Sequence, residues 1–362
     1  MATNAATRAY RERFQGAFGR AYFRRFADSV VSSIGIGTYL GEPTDAVDDR
    51  YRGAITEAIE NGINVIDTAI NYRHQRSERA VGAAVSAADV DREALLLATK
   101  GGFIPFDGSQ PADPGQYIRS EYLDSGLIDR ADLVRGSHCL APAFIDDQLD
   151  RSLANLDVET IDLYYVHNPE TQLEAHDRTT VYDQLEAIFE QLERRVNAGD
   201  IRHYGVATWN AFRVHTEHKH YLSLAEVIGR ARSAAETVGN DASHLRAVQL
   251  PFNVEMADAF TVTAQSGAEG DQSALWFARE ADIDVFTSAS IGQGALAEEL
   301  PPSVAAELAG DSTVQRAINF ARSAPGVTAA LVGMSRPEHV VENVAAGTFA
   351  PMDADAFDAV FE

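Results

Sequence analysis

Four side chains, none near another in the sequence except one pair, are of the types that together move a proton onto a carbonyl oxygen. Asp67 closes the apolar run INVID, and Tyr72 follows it in IDTAINY. Lys100 closes ALLLATK, and His167 closes LYYVH. A phenol titrates at about 10 and is a weak acid unless a cation nearby favours the phenolate. Lys100 would supply that cation, and Asp67 would keep it charged and oriented. His167 would then donate a hydrogen bond to the substrate oxygen, either relaying the proton or polarising the carbonyl. The chemistry this suits is protonation of an alkoxide as hydride reaches a carbonyl carbon. Taken singly, an Asp beside a Thr is commonly a cap, and a lone His at the end of an apolar strand commonly satisfies a core hydrogen bond. Lys100 carries more weight: a cation at the end of a hydrophobic strand is costly to bury unless it is paired. A divalent metal held by Asp67, His167 and other carboxylates is the competing chemistry, that of a barrel hydrolase. The chain lacks an HxH at its first strand, and Lys100 beside Asp67 would oppose a metal, so none is expected.

These residues need a scaffold that brings strand ends together. Short β-branched runs alternate with longer amphipathic segments from about residue 31 onward, the rhythm of βα units on a parallel sheet. Strands are expected near 33–36, 63–67, 94–100, 161–167, 203–207, 247–250, 284–288 and 329–331. Helices are expected over 50–61, 78–87, 144–155, 181–198, 222–238, 272–281, 313–322 and 337–345. About eight such repeats close a (β/α)8 TIM barrel, whose strand ends build the active face. The whole chain, 1–362, reads as one barrel domain. Within it 22–26 and 28–31 would pair as a hairpin across the barrel's bottom, and 1–18 reads as a helical or frayed extension. The Gly-, Pro- and Asp-rich stretch 101–143 is a long loop over the barrel mouth; its Phe103, Phe106 and Tyr117, with Trp209, are candidate pocket walls.

Composition sets bounds without naming a reaction. The hydrophobic fraction of 45% and charged fraction of 23% are those of a globular protein with a full core. A formal charge of −24 argues against nucleic acid or an anionic membrane as partner. No apolar run reaches bilayer length and the N-terminal residues lack a signal-like apolar region, so a cytoplasmic location is expected. The lone Cys139 offers neither a disulfide nor a thiolate metal site. Lysine occurs only at 100 and 219, arginine supplying the other cations, and acid excess with so little lysine fits a halophile's surface, where salt screens self-repulsion.

IDTAINY, LLLATK, LYYVHNPE, GDIRHYGVATWN and LVGMSRPEHVVENV resemble, in order, the successive motifs of aldo-keto reductases, over about residues 22–348. HCLAP and HNPETQL further resemble a less characterised branch of that family. The resemblance implies a barrel without a Rossmann domain, a nicotinamide cofactor extended across the strands' C-terminal ends, and Asp67, Tyr72, Lys100 and His167 as the catalytic tetrad. It implies an oxidoreductase that reduces an aldehyde or ketone, its partner being a small carbonyl substrate.

Position by position, the resemblance also implies a cofactor site. Gly37, Thr38 and Asp67 would lie near the nicotinamide, the GxG of Gly35 and Gly37 allowing close backbone approach. Where the family places Ser-Asn after the fifth strand, this chain has Ala207 and Thr208 with Asn210 beyond; Thr208 or Asn210 would meet the carboxamide, together with Gln249. Ser288 stands where many members stack a tyrosine on the nicotinamide. Gly333, Ser335, Arg336, His339, Glu342 and Asn343 would hold the adenosine end. Gly333 and His339 occupy positions where NADP-preferring members carry Lys and Arg, while Arg336 offers a compensating contact to a 2′-phosphate. NADP(H) is favoured over NAD(H). A regulatory subunit that binds nicotinamide with little or no turnover is the alternative function.

Overall fold

The computed structural model describes residues 1–268 and 270–361. A helix, Asn4–Arg13, precedes the antiparallel strands β1 (Phe23–Phe26) and β2 (Ser29–Ser32). Next come β3 (Ile34–Gly37), β4 (Val65–Asp67) and β5 (Leu96–Gly101). A small antiparallel pair, β6 (Leu133–Val134) and β7 (His138–Cys139), is followed by β8 (Ile161–His167), β9 (Ile201–Ala207) and β10 (Leu245–Pro251). A second hairpin, β11 (Thr263–Gly267) and β12 (Gly270–Ser273), leads to β13 (Asp284–Ser288) and β14 (Val327–Gly333). Eight of these close a parallel barrel in the order β3, β4, β5, β8, β9, β10, β13, β14 and back to β3. It is a (β/α)8 barrel, with the major helices, among them Asp45–Glu60, Arg76–Ala87, Pro142–Leu156, Arg178–Ala198, Leu224–Val238 and Thr313–Ser323, around it.

Two cores follow from strand alternation. Outward residues such as Ile36, Ile66, Leu97 and Val166 pack beneath the helices. Inward residues Val65, Leu96, Ala98, Leu163, Tyr165, Ala207, Ala247, Phe286, Ala329 and Leu331 fill the barrel. Gly35 is needed within this layer: a Cβ there would come to 2.7 Å from Leu331 and 2.9 Å from Val65. Its close approach is therefore to barrel side chains and not to the cofactor region, as the sequence had implied. The hairpin β1–β2 plugs the bottom, as expected, with Phe26 edge-on to Phe286 at 5.5 Å and to His203 at 5.7 Å.

The first helix is docked, not frayed. Thr3 caps it by accepting from Ala6 N–H, and the buried Tyr10 hydroxyl donates to Ile59 O at 2.6 Å. The stretch 101–143 is likewise more ordered than its composition suggests. It carries a helix at Pro114–Ile118 continued by a π-helical turn through Leu123, the buried Tyr122, and the β6–β7 hairpin. Among the described residues, no helix is long and apolar enough to cross a membrane.

Candidate active site

Period-two alternation continues to the strand ends. Because Val65 points inward so does Asp67; Lys100 follows Leu96 and Ala98, His167 follows Leu163 and Tyr165, and Gln249 follows Ala247. Their strands are neighbours: Gly37 pairs with Asp67, Asp67 with Ala98, Lys100 with Tyr165, His167 with Ala207, and Ala207 with Gln249. Backbone parity and register thus gather onto one barrel floor residues that lie up to 182 positions apart.

At its centre Lys100 Nζ, fully buried, donates to Asp67 Oδ1 at 2.5 Å and to Thr68 O at 2.7 Å. Gln249 Nε2 donates to the second Asp67 oxygen at 2.7 Å. Burial disfavours the ammonium, but Asp67 and then Tyr72 outweigh it, and Lys100 titrates above its usual range. It also lies 4.9 Å from the centre of the Tyr72 ring. The Tyr72 phenol moves up, not down: burial raises it further than the Lys100 field lowers it. The field expected from the sequence is present but is the smaller effect, so the phenol is held in its proton-bearing form. His167, edge-on to Tyr72 at 6.0 Å, is driven well below its usual pKa, first by burial and then by Lys100, and is uncharged at neutral pH.

A second buried histidine fixes the end of β8. His138 Nε2 lies 2.8 Å from His167 O, and Gln172 Nε2 donates to His138 Nδ1 at 2.8 Å. Gln172 also reaches His138 O, at 3.3 Å, which orients its amide as the donor. The ring therefore carries its proton on Nε2 and donates to His167 O. Phe103 stands edge-on to both rings, at 4.7 and 5.0 Å. Gly102, at φ +141°, passes beneath; a Cβ there would come to 2.9 Å from His167 O.

The turn after Tyr72 is strained. Arg73, His74 and Gln75 take φ of +49°, +59° and +70°, left-handed values that cost about 1–2 kcal/mol for each non-glycine residue. Arg73 holds this turn by donating to Glu42 O and Thr44 O at 3.1–3.3 Å, by pairing with Asp48, and by lying 5.2 Å over Tyr51. Gln75 donates to Phe106 O at 2.9 Å.

Above this floor one cavity of about 800 Å³ runs from Tyr72, Asn71 and His167 to the helix Pro337–Ala345. It is lined by most of the residues the sequence nominated: Gly37, Thr38, Asp67, Thr208, Gln249, Ser288, Gly333, Ser335, His339, Glu342 and Asn343. Lys100 lies beneath it. Two nominations fall outside the lining. Asn210 turns away toward Arg213 and His220, its backbone N–H donating to Glu170, and Arg336 is exposed beside the cavity's far end. Gln249 lines the wall, yet its amide N–H is engaged by Asp67. Of the proposed aromatic walls, Phe103 and Trp209 line the cavity, whereas Phe106 packs on His74 and Tyr117 and pins the loop. Sequence reasoning missed Tyr39, Leu40, Asn71, Asn168 and the stretch from Ala289 to Ala297, which supplies Ser290, Ile291, Gln293 and Gly294 to the lining. Only the glycines of SIGQG hinted at that stretch.

The cavity runs from Tyr72 to Glu342 and Asn343, and its walls have polar atoms left over. Thr208 Oγ1 and Asn71 Oδ1 are buried without a protein partner, the condition of polar atoms waiting for a ligand or water. A residue set of carboxamide-sized polar groups near Tyr72 and of Glu342 and Asn343 at the far end fits a nicotinamide dinucleotide.

Comparison with known proteins agrees with the fold. The profile of the aldo/keto reductase family matches residues 33–224. An uncharacterized oxidoreductase of Bacillus subtilis, YqkF, is 28% identical over 183 residues, 50% of this chain and only 46% of its own length. A putative voltage-gated potassium channel subunit beta of Schizosaccharomyces pombe is 23% identical over 333 residues, 88% of this chain and 85% of that one. The crystal structure of an aldo-keto reductase from Klebsiella pneumoniae in complex with NADPH superposes with a TM-score of 0.61 at 18% identity, covering 94% of each chain. With its profile match spanning more than half of the sequence, the chain belongs to the aldo/keto reductase family.

Proposed function

We propose that the protein is an NAD(P)H-dependent oxidoreductase that reduces an aldehyde or ketone to an alcohol, with Tyr72 as general acid. The observation that carries this reading is the buried chain Gln249–Asp67–Lys100 set directly behind a phenol that opens into the cavity. A nicotinamide held along this cavity would supply the hydride for the carbonyl carbon. Tyr72 transfers its proton to the oxygen as negative charge develops there, and the phenolate left behind is stabilised by Lys100. Asp67 keeps Lys100 charged and, through Gln249, fixed. The uncharged His167 ring donates a hydrogen bond to the same oxygen. Thr208 is the group best placed for the carboxamide, through its unpartnered hydroxyl. Glu342, Asn343, Ser335 and His339 would hold the adenosine end. NADP(H) is the preferred form in this reading because Arg336, an exposed guanidinium with no carboxylate partner among the described residues, flanks that end and suits a 2′-phosphate.

The test is cofactor oxidation in molar salt, with NADPH and NADH supplied in turn and a panel of small aldehydes and ketones, for wild type beside Tyr72→Phe. The expected result is turnover that falls by about 10²–10⁴ in the variant while cofactor binding survives. The second reading, a nicotinamide-binding regulatory subunit, is favoured by the similarity to a putative channel subunit over most of its length. Tight cofactor binding with negligible turnover in both proteins would select it; no binding at all would remove both readings.

A further inference from the structure

Resting on the reductase reading, we propose that His138 is a positioning residue for the reaction: oriented by Gln172, it fixes the catalytic His167 through the His167 carbonyl. It lies outside the cavity lining and meets neither cofactor nor substrate. HCLAP, which supplies His138, and HNPETQL, which supplies His167 and Gln172, thereby gain a joint role that the proton-transfer group alone leaves unexplained.

The need for such a residue is visible at the His167 ring. That ring is to give a hydrogen bond to the carbonyl oxygen, yet its Nδ1 is buried with no protein partner. The rings beside it, Tyr72 at 6.0 Å and Phe103 at 5.0 Å, meet it edge-on. Its place is therefore set by this packing and by the backbone that carries it, and that backbone is leaving the strand. Asn168 turns left-handed at φ +49°, with its N–H given to Ala207 O on β9 at 2.6 Å. The C=O and N–H of one trans peptide point opposite ways, so the His167 carbonyl faces β5. There the next ladder donor is missing, because Gly102 N–H is given to Gln148 Oε1 at 2.7 Å. His138 Nε2–H takes its place at 2.8 Å.

The surroundings of His138 suit this one contact. Its ring is fully buried, and Gln172 donates to Nδ1 at 2.8 Å, so the proton is kept on Nε2, facing His167 O. Room comes from Gly102, where a Cβ would come to 3.3 Å from His138 Nε2 as well as to 2.9 Å from His167 O. The segment that carries His138 is pinned to the neighbouring catalytic strand, Cys139 N–H donating to Gly102 O at 2.9 Å and Ile104 N–H to Ser137 O at 2.8 Å. Gly102 follows closely on Lys100. His138 thus ties the strand end that bears His167 to the one that bears Lys100. On the other side, Glu170 in the turn after His167 accepts from Trp209 N–H at 2.7 Å, so the same short turn also holds the loop after Thr208.

Without His138 Nε2–H the buried His167 carbonyl has no donor, and the end of β8 shifts to find one. A displacement of about 1 Å at a catalytic group lowers a rate by up to about a hundredfold. The loss runs through the His167 ring, so it vanishes once that ring is gone, whereas a residue that merely supports the fold lowers the rate with or without it.

The test measures single-turnover NADPH oxidation, which excludes product release, with saturating cofactor and whichever simple aldehyde wild type reduces fastest. His138→Leu, His138→Gln and Gln172→Leu are each made in the full chain, alone and with His167→Ala. His138→Leu is expected to slow the reaction about thirtyfold, and His138→Gln, whose amide N–H reaches nearly as far as Nε2–H, only about threefold. Gln172→Leu, which frees the ring proton to move to Nδ1, should slow it about fivefold. NADPH affinity should change less than about twofold throughout, and in the His167→Ala background each change should slow the residual rate less than about twofold. A rate unchanged in His138→Leu, or slowed equally with and without the His167 ring, overturns the proposal and leaves the reductase reading standing. If His138→Leu does not fold, the same comparison in Gln172→Leu decides. Wild type that binds NADPH and reduces no aldehyde or ketone overturns the reductase reading and this proposal together.

Discussion

Lowering the pH from 7.5 to 5 should weaken the fold through His138, by an amount that can be worked out. An unfolded histidine titrates near 6.5, whereas the buried His138 ring is pushed down to about 4 by burial. The unfolded chain therefore binds more protons between these values. The stabilisation is complete above about pH 6.5 and is lost as pH falls toward 4. With those two values the loss at pH 5 is about 2 kcal/mol for this residue. The structural cause is that Nε2–H is already given to His167 O, and Gln172 points an N–H at Nδ1, so a second ring proton has no acceptor. His203, also lowered to about 4, and His167 titrate in the same sense, so the wild-type change is larger than this. The assay is urea unfolding at the two pH values, in constant high salt, for wild type and His138→Gln. The glutamine variant loses stability at both pH values, but its pH-dependent change should be smaller by about 2 kcal/mol. A variant whose change matches wild type would refute the account of His138 as a buried neutral donor.

Other outcomes follow from the same geometry. Lys100→Met leaves Asp67 buried with only Gln249 for a partner and should cost about 3–5 kcal/mol in unfolding free energy; adding Asp67→Asn should restore much of that stability without restoring turnover. At Arg73, alanine and glycine lose the same guanidinium contacts, but glycine escapes the left-handed strain. Arg73→Gly should thus be more stable than Arg73→Ala by about 1 kcal/mol, with amide exchange at Glu42–Thr44 faster in both; the reverse order in thermal melts would contradict the strain argument. Arg336→Ala should weaken NADPH binding about fivefold to tenfold, an exposed charge-assisted contact, and leave NADH binding unchanged by fluorescence titration.

How far the sequence could be read depended on which residues obey a periodicity. Barrel strands came within two or three residues of their observed bounds because β-branched runs are bracketed by helices with regular apolar spacing. The polar residues at their ends, Asp67, Lys100, His167 and Gln249, were legible because parity alone decides that they point inward. What parity does not govern stayed hidden. Asn210 lies in a turn organised by the Glu170 carboxylate, a contact with no periodic signature. The lining from Ala289 to Ala297 depends on left-handed residues such as Ala289 and Gln293, which composition does not announce. The direction of the Tyr72 shift was also out of reach, since it is set by the balance of burial against one cation, and burial is a property of the packed structure.

The burial of Lys100 has a practical consequence for handling the protein. With lysine confined to two positions, Lys219 is left as the exposed side-chain amine. It lies beyond the end of β9, on the same end of the barrel as the opening framed by Tyr39 and Trp209. Molecules coupled through Lys219, rather than through the exposed α-amine of Met1, to an amine-reactive resin or biosensor surface would therefore sit with the opening toward the support. Molecules held that way would be poorly accessible to substrate, and attachment through the opposite, plugged end of the barrel would leave the cavity facing solution.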